Sequence, residues 1–234
     1  MNKLRNMLIA TIAIFALSTS AFAGSFSMGL VVSSMDVDAT GTESDRLTAA
    51  GADVTDASVR NAARSKSVTT PSLYVEYNTD FRLPLSFGVE YTPGKADFAA
   101  EARTDTMLSV TGTKTAVATP ITRTASASAD NFATAYVEVP LFAGIYVRGG
   151  MSSMTVNHRN DSGFAGVSHL TGQNYGVGYK LTTSGGTIMK VSYESTDYDT
   201  INLISSNDSV AANQKGLKAD VDTDALRFTL AKAF

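Results

Sequence analysis

The sequence predicts an all-β fold: an eight-stranded, antiparallel, up-and-down transmembrane β-barrel with short periplasmic turns and long outer loops. Three observations predict it. The first residues have the pattern of a secretory signal peptide, eight later segments alternate apolar and polar residues, and the connections between those segments alternate between short and long. Together these features are typical of an exported chain that crosses a membrane with strands.

Residues 1–23 have the three parts of a signal peptide. Lys3 and Arg5 supply positive charge, residues 7–17 form an apolar run, and Ala21-Phe22-Ala23 matches a small-residue cleavage site. The alternative is a membrane-anchoring helix, but the apolar run is shorter than the roughly 20 residues that such a helix needs. We therefore expect cleavage after Ala23 and a single barrel domain over residues 24–234.

The composition excludes several classes of protein. The 234-residue chain has a formal net charge of −3 and no basic cluster, which argues against nucleic-acid binding. It contains no cysteine, so a disulfide framework, a lipid-anchoring cysteine and a thiolate metal site are excluded. No later segment approaches the ~18 consecutive apolar residues of a transmembrane helix, and no residue pattern calls for a cofactor.

Period-two alternation marks eight strands. Residues 85–91, for example, read Leu-Ser-Phe-Gly-Val-Glu-Tyr, with one apolar and one polar face. The predicted strands occupy residues 25–37, 72–79, 85–92, 131–139, 142–156, 168–182, 187–197 and 222–234. Short turns fall at 80–84, 140–141 and 184–186. Long loops fall at 38–71, 93–130, 157–167 and 198–221.

Two of the long loops carry weaker local patterns. Residues 56–64 are expected to form a short helix capped by Asp56. Residues 109–129 are rich in Thr, Ala and Ser, and either extend the barrel strands beyond the bilayer or form a mobile loop.

The hairpin before the last strand resembles a known family. Gly176-Val177-Gly178-Tyr179, followed after a short turn by Tyr193-Glu194 and Asp197, is similar to the penultimate hairpin of the OmpA-like, opacity-type eight-stranded outer-membrane barrels. The resemblance covers residues 174–199 and 226–234. It implies a protein of the outer membrane of a Gram-negative bacterium, in contact with outer-membrane lipid and lipopolysaccharide. It implies no enzymatic residue.

The last strand resembles the recognition signal that this family presents to the outer-membrane assembly machinery. Phe228, Leu230 and Phe234 share one face of the strand, and the terminal aromatic residue matches the family pattern. Lys232 departs from the usual apolar residue at its position, and we expect its ammonium group to reach the periplasmic headgroups.

Two types of barrel differ in the direction in which the apolar side chains of their strands point. In a transmembrane barrel the apolar side chains face lipid, and closure is required because lipid offers no hydrogen-bond partner to a free edge. In a lipocalin-like soluble barrel the apolar side chains face inward, toward a ligand. The family resemblance favours the transmembrane barrel.

With the apolar side chains outward, the charged residues of the strands face the interior. They form two layers, each with no net charge, because a lone charge in a confined space is costly. The layer near the short turns contains Glu76, Glu138, Lys180 and Lys190. The deeper layer contains Glu90, Arg148, Glu194 and Arg227. Eight strands enclose little more than side chains, so the sequence predicts a largely plugged barrel with at most a narrow pore.

Aspartates at the outer ends of strands one, seven and eight predict an acidic rim. These residues continue the outward parity of the apolar face and lie on neighbouring strands of a closed barrel. They are Asp36, Asp38, Asp197, Asp199, Asp220, Asp222 and Asp224. The rim is either a set of solvated strand ends or a site where Ca²⁺ or Mg²⁺ bridges to lipopolysaccharide phosphates.

Three functions are compatible with such a barrel. A structural barrel with at most a narrow pore agrees best with the balanced interior. The alternative is an adhesin or receptor for cells, host surfaces or phage that acts through loops 38–71 and 93–130. A lipid A-modifying enzyme is the least supported, because only His169 and Thr171 have a nucleophile–base spacing. We expect no catalytic activity.

Overall fold

The computed structural model describes residues 24–45, 59–80, 82–111, 115–160, 164, 166–205 and 215–234. The signal peptide lies outside these residues. Among the described residues, no helix is long and apolar enough to cross a membrane. Nine strands are present: β1 (Gly24–Asp45), β2 (Val59–Thr79), β3 (Ser86–Thr111), β4 (Thr115–Pro140), β5 (Ile145–Asn160), β6 (Gly166–Thr182), β7 (Thr187–Tyr198), β8 (Ile201–Ile204) and β9 (Lys215–Ala233).

The strands form a closed antiparallel ring of eight. Each strand from β1 to β7 pairs with the next, β7 pairs with β9, and β9 returns to β1. The short β8 pairs with β9 beyond the point where β7 ends, so it continues the position of β7 in the ring. The fold class predicted from the sequence is therefore confirmed. The ring closes where β9 pairs with β1. At the end of this ladder, backbone hydrogen bonds join Phe234 to Phe26.

The turns at one end are short, as expected. In the β4–β5 turn, Ala143 and Gly144 both have positive φ, 51° and 85°, which places the turn in the left-handed region that glycine adopts most easily. The β6–β7 turn is closed by a hydrogen bond from the amide of Gly186 to the carbonyl of Thr183. We call this end of the barrel the inner end, because the sequence predicts that its short turns are periplasmic.

The strands are much longer than predicted at the other end. Segments 38–71 and 93–130, predicted as loops, are largely strand: β1 runs to Asp45, β2 begins at Val59, and β3 and β4 meet near residues 111–115. The helix predicted at 56–64 is wrong for residues 59–64, which belong to β2, and residues 56–58 lie outside the described residues. For residues 109–129, the extended-strand alternative is confirmed in the described part.

The length of β1 shows how far the barrel projects. At about 3.3 Å per residue and a tilt of about 40°, its 22 residues span roughly 55 Å along the barrel axis, about twice the ~25 Å apolar band of an outer-membrane barrel. The outer half extends beyond a band of that height, so it needs no apolar outward face. Its strands therefore lack the strong alternation that marked the inner half.

The ring has one short seam, between β2 and β3. This ladder has six residue pairs, from Leu73–Tyr91 to Asn78–Ser86, whereas β1 and β2 share 21. Just beyond it the hydroxyls of Ser72 and Thr92 form a 2.7 Å hydrogen bond. The next residues along the two strands are Pro71 and Pro93, and neither can donate a backbone hydrogen bond. Two prolines therefore end the ladder.

The two halves of the barrel have opposite polarity. In the half with short turns, apolar side chains face outward and are exposed, for example Leu30 (59 %) and Phe228 (54 %). In the outer half, apolar side chains face inward and form a buried cluster. We name it the outer core, and it contains Val37, Ala96, Ala129, Phe132, Met154, Val156, Leu170, Tyr198, Ile201 and Val221. The inner half thus has the polarity of a transmembrane barrel, and the outer half has the polarity of a water-soluble barrel.

Candidate functional site in the barrel interior

The lower charged layer is organised around two lysines. Lys190 Nζ donates to Glu76 Oε2 at 2.5 Å and to Glu138 Oε2 at 2.7 Å. Lys180 Nζ donates to the other oxygen of Glu76 at 3.0 Å and to Asn78 Oδ1 at 2.9 Å. Glu76, Glu138 and Lys190 are buried, whereas the Lys180 side chain, nearer the short turns, is 21 % exposed. Two acids and two bases therefore neutralise one another.

The upper charged layer contains two arginines and two glutamates in a ring. Arg148 donates to Glu194 at 2.9 Å and to Glu90 at 3.4 Å. Arg227 donates to Glu194 at 2.6 Å and also to Glu90. Each carboxylate thus bridges both guanidinium groups, and all four residues are buried. Charged hydrogen bonds of this kind are about twice as strong as neutral ones.

Tyr136 joins the two layers. Its hydroxyl donates to Glu76 Oε2 at 3.1 Å, and the guanidinium carbon of Arg148 lies 3.6 Å from the centroid of its ring. Space for the ring comes from Gly88 on the neighbouring strand, where a Cβ atom would lie 2.2 Å from the Tyr136 ring. In the same way, a Cβ atom at Gly178 would lie 2.4 Å from the ring of Tyr146. These glycines are a packing requirement of the interior.

A layer of hydroxyl groups and a small cavity lie above the charges. The cavity has a volume of about 50 Å³, and Thr134, Ser152 and Asn174 are among its lining residues, with Glu90 and Arg227 below. Asn174 Nδ2 donates to Thr196, but Asn174 Oδ1 is buried without a protein partner. A water needs roughly 10–15 Å³ of such space, so the cavity has room for a few waters that would satisfy this oxygen.

The interior is thus closed at several levels. From the end with the short turns these are a small apolar group around Ile188 and Val31, the two charged layers, the hydroxyl layer and the outer core. Eight strands enclose a space little wider than their own side chains. Removing one member of a buried ion pair costs about 3–5 kcal/mol, so the charges resist separation. Chemically, this arrangement can hold the barrel shut and neutral.

The predicted acidic rim is partly assembled. In the strand registers, Asp222 lies opposite both Asp38 and Asp197, and Asp224 lies opposite Asp36. Partial burial, followed by the neighbouring carboxylates with Asp197 foremost, raises the pKa of Asp222. Among the described residues, no group of three or more acidic or histidine side chains could hold a metal ion.

Three aspartates of the rim have hydroxyl partners. Asp199 accepts a hydrogen bond from Thr171, and Asp220 accepts one from Thr200. Asp36, within the row, accepts one from Ser67. The rim therefore contains a repulsive row centred on Asp222, and some of its carboxylates also accept a hydrogen bond from a neighbouring hydroxyl group.

The residues of the predicted assembly signal share the outward face of β9. Phe228 and Leu230 are exposed in the apolar band, and the side chain of Phe234 is 72 % exposed at the end with the short turns. Lys232 lies on the same face, and its Nζ donates to the carbonyl of Gly185 in the β6–β7 turn. The ammonium group thus points to that end, away from the middle of the band.

The histidines do not form the arrangement that the sequence suggested. His169 Nδ1 lies 3.2 Å from the hydroxyl of Thr155, on the neighbouring strand. His158 instead contacts the backbone carbonyl of Phe164 through Nδ1, at 2.8 Å, and the hydroxyl of Ser168 through Nε2, at 3.2 Å. These contacts tie the β5–β6 connection to its own hairpin.

Two parts of the interior were not predicted from the sequence. The first is the set of buried tyrosines, Tyr74, Tyr136 and Tyr146, although each shares the parity of a charged residue two positions away. The second is the outer core, because its residues were assigned to loops or to strand ends. The sequence indicated this core in one respect: Val156 and Leu170 are apolar but occupy the inward-facing positions that are charged in other parts of the same strands.

The comparisons with known proteins concern the fold alone. No family model and no curated protein matches the sequence. Among solved structures, the outer membrane protein OprG from Pseudomonas aeruginosa is similar with a TM-score of 0.48 and 16 % identity, covering 91 % of this chain and 97 % of that one. Outer membrane protein AlkL has a TM-score of 0.47 and 16 % identity, covering 91 % of each chain. Ail, the attachment invasion locus protein of Yersinia pestis, has a TM-score of 0.36 and 12 % identity, covering 88 % and 99 %.

Proposed function

We propose that this protein is a structural outer-membrane barrel whose interior is closed to general solutes and permits at most a narrow pore. The observation that carries the proposal is the pair of stacked, charge-neutral ion networks, in which Glu76 and Lys190 close one level and Glu194 and Arg227 close the next. A solute would have to break several buried charged hydrogen bonds to pass. The outer core adds an apolar barrier above them.

Single-channel recording on the refolded protein in planar bilayers tests this function. The wild type should give rare, small openings. Replacing the four upper-layer residues Glu90, Arg148, Glu194 and Arg227 with alanine keeps the net charge and should make openings more frequent. The matched control replaces the exposed ion pair Lys95–Asp97, whose groups lie 2.6 Å apart, with alanine and should not change conductance. A steady wild-type conductance comparable to that of a general porin would overturn the proposal.

The receptor function remains a second candidate because of one observation. The β3–β4 hairpin continues as a paired ladder from Lys95–Asp130 to Thr111–Thr115, beyond the level where β3 leaves β2. Rigid projections from a fixed scaffold are typical binding surfaces. Asp97 and Ser128 are partners, so removing residues 98–127 shortens the hairpin in register. Loss of binding to cells or phage with an intact barrel would favour a receptor, and unchanged binding would exclude this hairpin.

We place the protein in the outer membrane of a Gram-negative bacterium, surrounded by lipid and lipopolysaccharide, with kinship to the OmpA-like, opacity-type barrels. The apolar outward band and the Gly176–Glu194 hairpin support this assignment. We expect it to be assembled by the outer-membrane machinery and to have no catalytic activity. Its fractionation with outer membranes, and a heat-dependent shift in gel mobility, are the measurements that check the placement.

A further inference from the structure

An apolar groove crosses the lipid-facing surface from β1 to β5. Its volume is about 430 Å³. The floor is low because two outward positions on neighbouring strands carry almost no side chain, Ala135 on β4 and Gly149 on β5. Phe26 and Tyr77 form one wall, with their ring centroids 5.3 Å apart, and Met151 stands at the other side.

The groove lies in the half of the band nearest the periplasm. Tyr77 is two residues from the end of β2 at Thr79, and Ala135 is five residues from the end of β4 at Pro140. Met151 is six residues from the start of β5 at Ile145. Along the axis each residue rises about 2.5 Å in a strand tilted by about 40°. The groove therefore extends from about 5 Å to about 15 Å above the turns, mostly in the half of the ~25 Å apolar band nearest them.

The size and surroundings of the groove limit its occupant. Its volume falls in the ~300–1,000 Å³ range of small-molecule sites. Two turns of an α-helix, about 10 Å across and about 11 Å long, already need more space. The groove is continuous with the exposed apolar band, whose Leu30 and Phe87 face lipid, and its position puts it among the lipids of the periplasmic leaflet. Its lining is apolar, which suits a hydrocarbon chain and no headgroup.

We propose that this groove is a binding site for one acyl chain of a phospholipid in the periplasmic leaflet. The bound chain fills the depression above Ala135 and Gly149. On the other wall of the barrel the outward positions carry larger exposed side chains, for example Tyr175, Val191 and Phe228. It covers the membrane wall beside β2 and β3, the strands with the shortest ladder. The inference rests on the membrane placement proposed above.

The first test uses wild-type protein refolded in phosphatidylethanolamine vesicles that contain a trace of the same lipid with a photoreactive diazirine on its acyl chain. After illumination, digestion and mass spectrometry, labelled peptides should concentrate around Phe26, Ala135 and Met151. Peptides on the far wall, which includes Val191 on β7 and Phe228 on β9, should carry several-fold less label. Uniform labelling around the barrel would overturn the proposal. Heat-dependent gel mobility of the same sample reports separately whether the protein has inserted.

A filled-groove variant supplies the second test. A Cβ atom at Gly149 meets no other atom within 4 Å, so Gly149→Phe can place its ring in the groove without disturbing the barrel. Labelling at Phe26 and Met151 should fall several-fold. Val191→Phe is the matched control, because Val191 also faces lipid, on the opposite wall. Unchanged labelling in a folded Gly149→Phe protein would contradict the site, and Ala135→Phe repeats the test from the neighbouring strand.

Discussion

Lys190 is hydrogen-bonded to two carboxylates that are both buried in the lower layer. Its ammonium group donates to Glu76 and Glu138 and lies 5.3 Å from the centroid of the Tyr74 ring. Glu76 has a second cation, Lys180, and a hydrogen bond from Tyr136. Glu138 forms no ion pair with a second cation in the described structure, and its Oε1 atom has no hydrogen-bond partner. The residue most dependent on Lys190 is therefore Glu138.

Lys190→Met should destabilise the protein by about 3–5 kcal/mol, since it leaves a buried carboxylate without its counter-charge. Adding Glu138→Gln should restore most of this loss, because the remaining pair of Glu76 and Lys180 is neutral. Urea unfolding in vesicles, followed by far-ultraviolet circular dichroism, measures both effects. Lys180→Met is the control and should lose less, because Lys180 is partly exposed. If the double variant were no more stable than Lys190→Met, charge balance would not be what holds this layer.

Removing the charge of Asp222 should stabilise the protein, in contrast to removing that of Lys190, because the carboxylate of Asp222 lies between other carboxylates. Burial and the neighbouring Asp197, Asp220 and Asp224 raise its pKa in the folded protein above the ordinary 3.8. At this site the folded state then binds more protons than the unfolded state, so the contribution of Asp222 to stability is most favourable below pH 3.8 and becomes less favourable as the pH rises through the raised pKa. Asp222→Asn should raise stability at pH 7 by about 0.5 kcal/mol, the scale of a cross-strand charge pair, and reduce this pH dependence.

The same variant tests the divalent bridge. Urea midpoints with EDTA and with Mg²⁺ at equal ionic strength give the comparison. If cations bridge the rim, Mg²⁺ should stabilise the wild type and should stabilise Asp222→Asn less. An Mg²⁺ effect of the same size in both proteins would count against a bridge at Asp222, and no effect in either would leave a rim of solvated strand ends.

Among the strands, β2 and β3 differ from the rest because their shared ladder stops at two prolines. Above Leu73, the structure pairs β2 with β1 alone. Successive amides of a strand point to opposite neighbours. Amide exchange measured by NMR should therefore alternate along residues 61–70, with fast exchange at every second amide and slow exchange between them. Residues 73–78 should be protected throughout. Uniform protection along both segments would show that the seam is paired in solution.

The last strand carries the predicted assembly signal. Phe234→Ala keeps the backbone hydrogen bonds to Phe26 and removes the exposed aromatic ring. We expect the folded fraction in outer membranes to fall far more than with Lys232→Ala, which removes a contact to the Gly185 carbonyl. Heat-dependent gel mobility measures the folded fraction. Similar yields for the two variants would remove the special role of Phe234.

The inner half of the barrel could be predicted from the sequence because a lipid-facing strand must alternate. Residues such as Leu30 and Val191 have to be apolar, and their neighbours on the strand face a polar interior. That single rule located the strands and the inward charges. It could not show that Tyr136 stacks on Arg148, since parity gives the direction of a side chain but not its partner.

The outer half could not be predicted because the rule changes there. Outside lipid, a strand such as residues 109–111 or 115–125 is free to use Thr, Ala and Ser, whose alternation has no contrast. The hydrophobic signal moves inward, to residues such as Val37 and Leu170. If every strand is expected to carry its apolar residues on the outward face, these positions are assigned to the ends of strands. The aspartates at 36 and 38 were therefore placed at a rim although they lie within β1.

At the scale of the whole molecule, the same strands form two halves of the barrel that bury their apolar residues in different ways. The inner half has an apolar outward face that lipid would cover, whereas the outer half buries an apolar core on its inward face. The change occurs within single strands. On β1, Leu30 and Asp38 have the same outward parity and are eight positions apart, one within the apolar band and the other above it.

This arrangement predicts that one substitution has opposite consequences at the two heights. Leu30→Lys places a charge in lipid and should cost about 2–4 kcal/mol near the bilayer midplane, with a matching loss of assembled protein. Asp38→Lys should be neutral or slightly stabilising, because its new charge lies in water and opposite Asp222. Val37→Lys, one position away on the inward face, should be strongly destabilising because it enters the outer core. Folding free energies in vesicles decide the matter: equal losses for Leu30→Lys and Asp38→Lys would mean that the band extends over the whole strand and that the outer half is not a water-exposed barrel.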